Sequence, residues 1–102
     1  VWTVIVNWNS VVTAISGATG IAAGDVMGST DMLTIKKIGG TVTVVGTPTT
    51  NPHGDSSMSG CVMVYSGSGG NMELKVTAPT FGGGGTITLR TSATIIITET
   101  GY

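Results

Sequence analysis

The 102 residues are too few for two separate cores, and one domain of this size buries about 65% of its unfolded surface for a net stability of about 5–10 kcal/mol. Charged residues make up 9% of the chain and the formal balance is −1, which argues against nucleic acid or an acidic lipid surface as partner. The single cysteine, Cys61, excludes an internal disulfide, and no apolar run approaches the ~20 residues of a membrane span.

Mean hydropathy is nonetheless high, at +0.40. The surplus is spread over β-branched residues and 17 glycines, which points to surface hidden against partner subunits. No charged-then-apolar signal pattern opens the chain. Its start at Val1 is expected to reflect either a removed initiator methionine or a place within a longer polypeptide.

In chain order, "VWTVIVNW" alternates so that Trp2, Val4, Val6 and Trp8 share one face of a half-buried strand. "SVVTAISGATGIAAGD" predicts a short strand and then a Gly/Ala-rich loop, because Gly17, Gly20 and Gly24 break helices. "MLTIKKIGGTVTVVGT" predicts a hairpin turning at Gly39-Gly40. "PTTNPHGDSSMSG" reads as a long exposed loop. "CVMVYSGSGGNMELKV" predicts a second hairpin, with Met72, Leu74 and Val76 facing in and Glu73 and Lys75 facing water. After the connector "TAPTFGGGG", "TITLR" and "TIIIT" predict a terminal strand pair. Ile87 and Leu89 take the core face of the first strand, and Ile95 and Ile97 that of the second.

These elements make one all-β domain over residues 1–102, with about seven or eight short strands and little helix. The expected architecture is an antiparallel β-sandwich, jelly-roll-like or a small barrel.

The terminal strands carry a second signal. If Ile95 and Ile97 face inward, Ile96 faces out, and Val62 and Val64 lie opposite Cys61, Met63 and Tyr65. Strands apolar on both faces are covered on both faces. With no helices to act as lid, another copy of the chain is the expected cover, so Ile96, Val62 and Val64 are the candidate subunit interface.

The residues suitable for chemistry do not assemble on the page. His53 is the only histidine and sits in a polar loop near Asp55, with no G-x-S-x-G elbow elsewhere. Asp25, Asp31, Asp55, Glu73 and Glu99 lack calcium-loop spacing, and the Gly-rich stretches precede strands rather than phosphate-cradling helices. Cys61 reads as a buried, inert thiol. Lys36-Lys37 is too small a basic patch for nucleic acid. Trp2 and Trp8 suit core positions, with a sugar-stacking platform as the other reading. The expectation is therefore no enzyme, no metal and no cofactor.

Over residues 31–100 the order of "MLTIKKIGGTVTVVGTP", "CVMVYSGSGGNMELKVTAP" and "TITLRTSATIIITET" resembles a small β domain found at the C-terminal end of phage tail-fibre and tailspike proteins. Leu89 stands where that pattern usually carries an aromatic, and residues 1–24 match it loosely. The resemblance implies a virion structural or receptor-binding module, commonly trimeric, made in the host cytoplasm and carried outside the cell on the virion. It implies no catalytic residue. Its expected partners are copies of itself, other virion proteins and a host-surface glycan or protein, with no nucleic acid and no membrane insertion. The expected receptor-contact residues are Thr50, Asn51, His53, Asp55, Ser56 and Ser57, on the most exposed loop. Two other readings of the chain are a capsid decoration or self-assembling filament subunit, and a carbohydrate-binding module using Trp2 or Trp8.

Overall fold

The computed structural model describes residues 1–99. Its strands are β1 (Trp2–Ser16), β2 (Val26–Ile38), β3 (Thr41–Thr49), β4 (Pro52–Gly54), β5 (Val62–Ser68), β6 (Asn71–Thr77) and β7 (Thr86–Glu99), with a short 3₁₀ turn at Ser56–Met58. Every pairing is antiparallel. The larger sheet runs β3-β2-β1-β7, with β4 also on β2, and β5–β6 forms a separate hairpin. The hairpin lies over one face of the larger sheet, so the expected antiparallel sandwich is present in an open, five-on-two form.

Alternation dictates which face is inner. On β1, Val4, Val6, Trp8, Ser10 and Val12 are buried, and their neighbours on β2 are Leu33, Asp31, Ser29 and Met27. Met63 and Tyr65 descend from β5 onto this stripe, while Met72, Leu74 and Val76 of β6 close it partially. Ile21, Met58 and Cys61 complete the inner cover from the connecting segments. Cys61 is buried as expected, at 1% exposure.

Two glycine sites position the layers. Gly39 and Gly40 have φ of 60° and 81°, the left-handed values that a tight turn between β2 and β3 requires. At Gly67 an added Cβ would overlap the Val42 carbonyl oxygen, so only glycine lets β5 lie this close to β3. The Val42 N–H donates to the Gly69 carbonyl at 2.7 Å, tying the two layers at that corner.

The strands differ from expectation in three places. β1 runs on through "SVVTAIS" to Ser16, because β7 continues to pair with it past a bulge between Val12 and Ala14. The expected long loop after Pro48 is largely structured, as the end of β3, then β4 and the 3₁₀ turn. The expected terminal strand pair is one continuous 14-residue strand, since Thr91-Ser92-Ala93 holds no glycine, proline, asparagine or aspartate to force a turn and β1 supplies a partner along its whole length. "TET" at the end of that pattern reaches Thr100, which with residues 101–102 lies outside the described residues.

The molecule is long, 52 × 23 × 19 Å, with a radius of gyration of 15.7 Å against about 13 Å for a compact chain of 100 residues. Among the described residues, no helix is long and apolar enough to cross a membrane.

Candidate functional site

The expected contact residues fall into two groups. Thr50 and Asn51 link β3 to β4, and His53 sits in the middle of β4, directly across the ladder from Gly28. This register puts His53 on the outer face of the large sheet, the face away from the hairpin. Successive rungs across that face read Ser92–Asn9–Gly28–His53 and Thr94–Asn7–Thr30. Because Gly28 has no side chain, these residues border a shallow depression of about 360 Å³ lined by Asn7, Asn9, Thr30, His53 and Thr94.

Two side-chain hydrogen bonds span the rungs of the depression. Thr30 Oγ1 donates to Asn7 Oδ1 at 2.7 Å, and Ser92 Oγ donates to Asn9 Oδ1 at 3.3 Å. Both amide oxygens are thereby occupied, which leaves the two amide nitrogens as donors toward solvent. Side chains two residues apart on a strand stand ~6.6 Å from one another, so Asn7 and Asn9 hold their amide donors at a fixed spacing.

Asp55, Ser56 and Ser57 do not join this depression. Asp55 Oδ2 accepts from the Val26 N–H at 2.9 Å, and the Asp55 N–H donates to the Val26 carbonyl at 2.9 Å. Ser57 Oγ donates to Asp25 Oδ2 at 2.6 Å, and the Ala22 N–H donates to the same oxygen at 2.9 Å. The serine hydrogen bond first, and the backbone one second, hold the Asp25 carboxyl below its ordinary value.

Beneath the sheet lies a buried polar cluster around Asp31, which in the sequence is one of several scattered carboxylates. Asp31, 1% exposed, accepts from Trp8 Nε1 at 2.9 Å and Tyr65 OH at 2.5 Å on one oxygen, and from Ser29 Oγ at 2.5 Å on the other. Ser29 Oγ in turn accepts from the Asn51 N–H at 3.1 Å, so the cluster fixes the start of the segment carrying His53. Burial, then the Asp31 hydrogen bond and charge, push the Tyr65 phenol far above the ordinary tyrosine range. The strand period held the signal: Met27, Ser29, Asp31, Leu33 and Ile35 fall on one stripe. Trp8 is 4% exposed and committed to Asp31, which removes it as a sugar platform. Trp2 remains half-buried beside Ile35, Lys37, Val42 and Ile97.

The candidate interface residues are half-exposed: Val62 44%, Val64 47% and Ile96 50%. They lie on opposite outsides of the sandwich. Ile96 pairs with Ile5, and Ile5 with Met32, in an apolar row across the outer face of the large sheet. Val62 and Val64 point away from the core on the outside of the hairpin, beside Thr77 and Lys75. Ile95 and Ile97 share the inner face with Val6 and Val4, as expected, yet they stay 43% and 58% exposed.

No family model, curated protein or solved structure matches the chain.

Proposed function

We propose that this chain is a non-enzymatic structural module of a virion, a trimeric tip or knob of a phage fibre that attaches to a host-surface glycan or protein. The observation that carries this reading is the exposed apolar row Ile96–Ile5–Met32 on one outer face, with Val62 and Val64 on the other. Surfaces on opposite outsides of one subunit meet head to tail rather than patch to same patch. A head-to-tail contact whose rotation closes generates a ring, of three copies on the fibre resemblance. The polar depression around Asn7, Asn9, Thr30 and His53 supports the attachment role, since it offers fixed donors on a rigid sheet.

The same head-to-tail geometry supports a second reading, a filament or capsid-decoration subunit, in which the rotation between copies does not close. Light scattering on the full chain separates them: three copies for the tip, open-ended growth for the filament. Ile96→Lys should release folded single copies in either case, and a single copy of the unsubstituted chain at micromolar concentration would overturn both. Attachment is tested by binding to host cells or a glycan array, which Asn9→Ala with His53→Ala should abolish without altering the assembly.

A further inference from the structure

The outer face of the large sheet has a charge sign of its own. By the register, Arg90 opposite Val11 and Lys36 opposite Thr43 project from this face, on the same side as Asn7, Asn9 and His53. The acids lie elsewhere. Asp31 and Glu99 take inner-face positions, opposite Val6 and Trp2, and Glu73 stands exposed on the outside of the hairpin. Asp25 and Asp55 lie in segments beside the sheet, where the Ala22 N–H donates to one carboxylate and the Val26 N–H to the other. The whole chain has a formal charge of −1, yet this sheet face carries two cations and no strand carboxylate.

Arg90 sits where that sign has a use. Successive rows across the face run Arg90–Val11–Val26, Ser92–Asn9–Gly28–His53, Thr94–Asn7–Thr30 and Ile96–Ile5–Met32, ~6.6 Å apart. Arg90 therefore flanks the polar depression on the side away from the apolar row. It is exposed and makes no ion pair within the described residues. No carboxylate lines the depression. With their amide oxygens occupied, Asn7 and Asn9 present their amide N–H groups, and the His53 ring carries one more N–H donor. Fixed donors beside an unpaired guanidinium suit a negatively charged acceptor better than a neutral one. Hydrogen bonds to an ionised acceptor are roughly twice as strong as those to a neutral one. The guanidinium fork also matches the geometry of a carboxylate or a phosphate-like oxyanion.

We infer that the depression takes an anionic group of a saccharide, a carboxylate or a sulfate on the sugar ring, with Arg90 as its counter-charge. This rests on the attachment reading and narrows it to acidic glycans. On a glycan array the full chain should mark structures bearing either anion and pass over neutral ones, with signals that fall as sodium chloride rises. Titration with tetragalacturonate and with a sulfated galactose tetrasaccharide, followed by NMR, separates the two anions. The bound one should move the side-chain amide signals of Asn7 and Asn9, and the methyl ester of tetragalacturonate, which keeps the rings and loses the charge, should not. Arg90→Gln should weaken binding by roughly tenfold or more, and Arg90→Lys should keep most of it. Equal binding of acid and ester, host-cell binding with every acidic glycan silent, shifts confined to residues outside the depression, or Arg90→Gln without effect would each overturn the inference and leave attachment standing. A chain that binds neither host cells nor any glycan overturns the attachment reading, and this inference with it.

Discussion

The inner stripe under the hairpin and the final ten residues of β7 are built from similar strands and live in different environments. At Val4, Val6 and Trp8 the alternation Trp2–Trp8 ends in a sealed layer, closed from above by Met63 and Tyr65. One strand away, Ile97, Ile95 and Ala93 sit on the same rungs and the same face and remain exposed. Hydrophobicity does not separate the two regions. What separates them is reach: a two-stranded upper layer cannot shield the full width of the sheet below it. The sealed half holds the fold, and the open half stays largely exposed to solvent.

The sharpest way to break the contrast is in the sealed half. Asp31→Ala would strand the Trp8, Tyr65 and Ser29 donors in the interior, and a cost of about 3–5 kcal/mol is expected from orphaned buried donors. Urea unfolding should show this as a large drop in midpoint. Met58→Ala, at a side chain with 0% exposure, should cost about 2–4 kcal/mol by leaving a cavity.

A pH titration reads the same half more gently. Because the folded chain keeps the Tyr65 phenol protonated, the unfolded chain ionises first, from its ordinary value of 10.0. This contribution is fully present below pH 10 and lost as the pH rises above it. Tyr65→Phe should lower stability by about 1 kcal/mol near neutrality and remove that alkaline loss, as followed by thermal melting across pH. In the open half, Ile97→Ala should change the stability of single copies by no more than about 0.5 kcal/mol, measured at submicromolar concentration. An effect as large as that of Met58→Ala would erase the distinction between the halves.

Much of this contrast could be read from residue order. Period-two alternation located the inner stripe of β1 and both hairpins, because glycines mark the turns and β-branched residues fill the rungs. Continuity was harder to read. Nothing local says that "TITLR" and "TIIIT" are one strand; that depends on β1 extending 15 residues to pair with them. For the same reason Ile95 and Ile97 could be assigned a face but not a cover. The exposure of Thr50 to Ser56 was legible from composition, since a proline, a glycine and small polar residues cannot build a core. The meeting of His53 with Gly28, Asn7 and Asn9 was not. It follows from a three-residue strand whose register is set by Asp55 and Asn51 bonding to distant backbone and side chains.

The rung that joins Trp2 to Glu99 has a mechanical consequence. It places the two ends of the described chain side by side at one tip of a 52 Å body. Tension applied between those ends would load a single rung at a time and peel β7 from β1 like a zipper, at low force. Tension entering at Trp2 and leaving at the opposite tip through Thr86 of β7 would instead load many rungs in shear. A module anchored by its ends and pulled from its far tip is thus strong, and the same module pulled apart at its ends is weak.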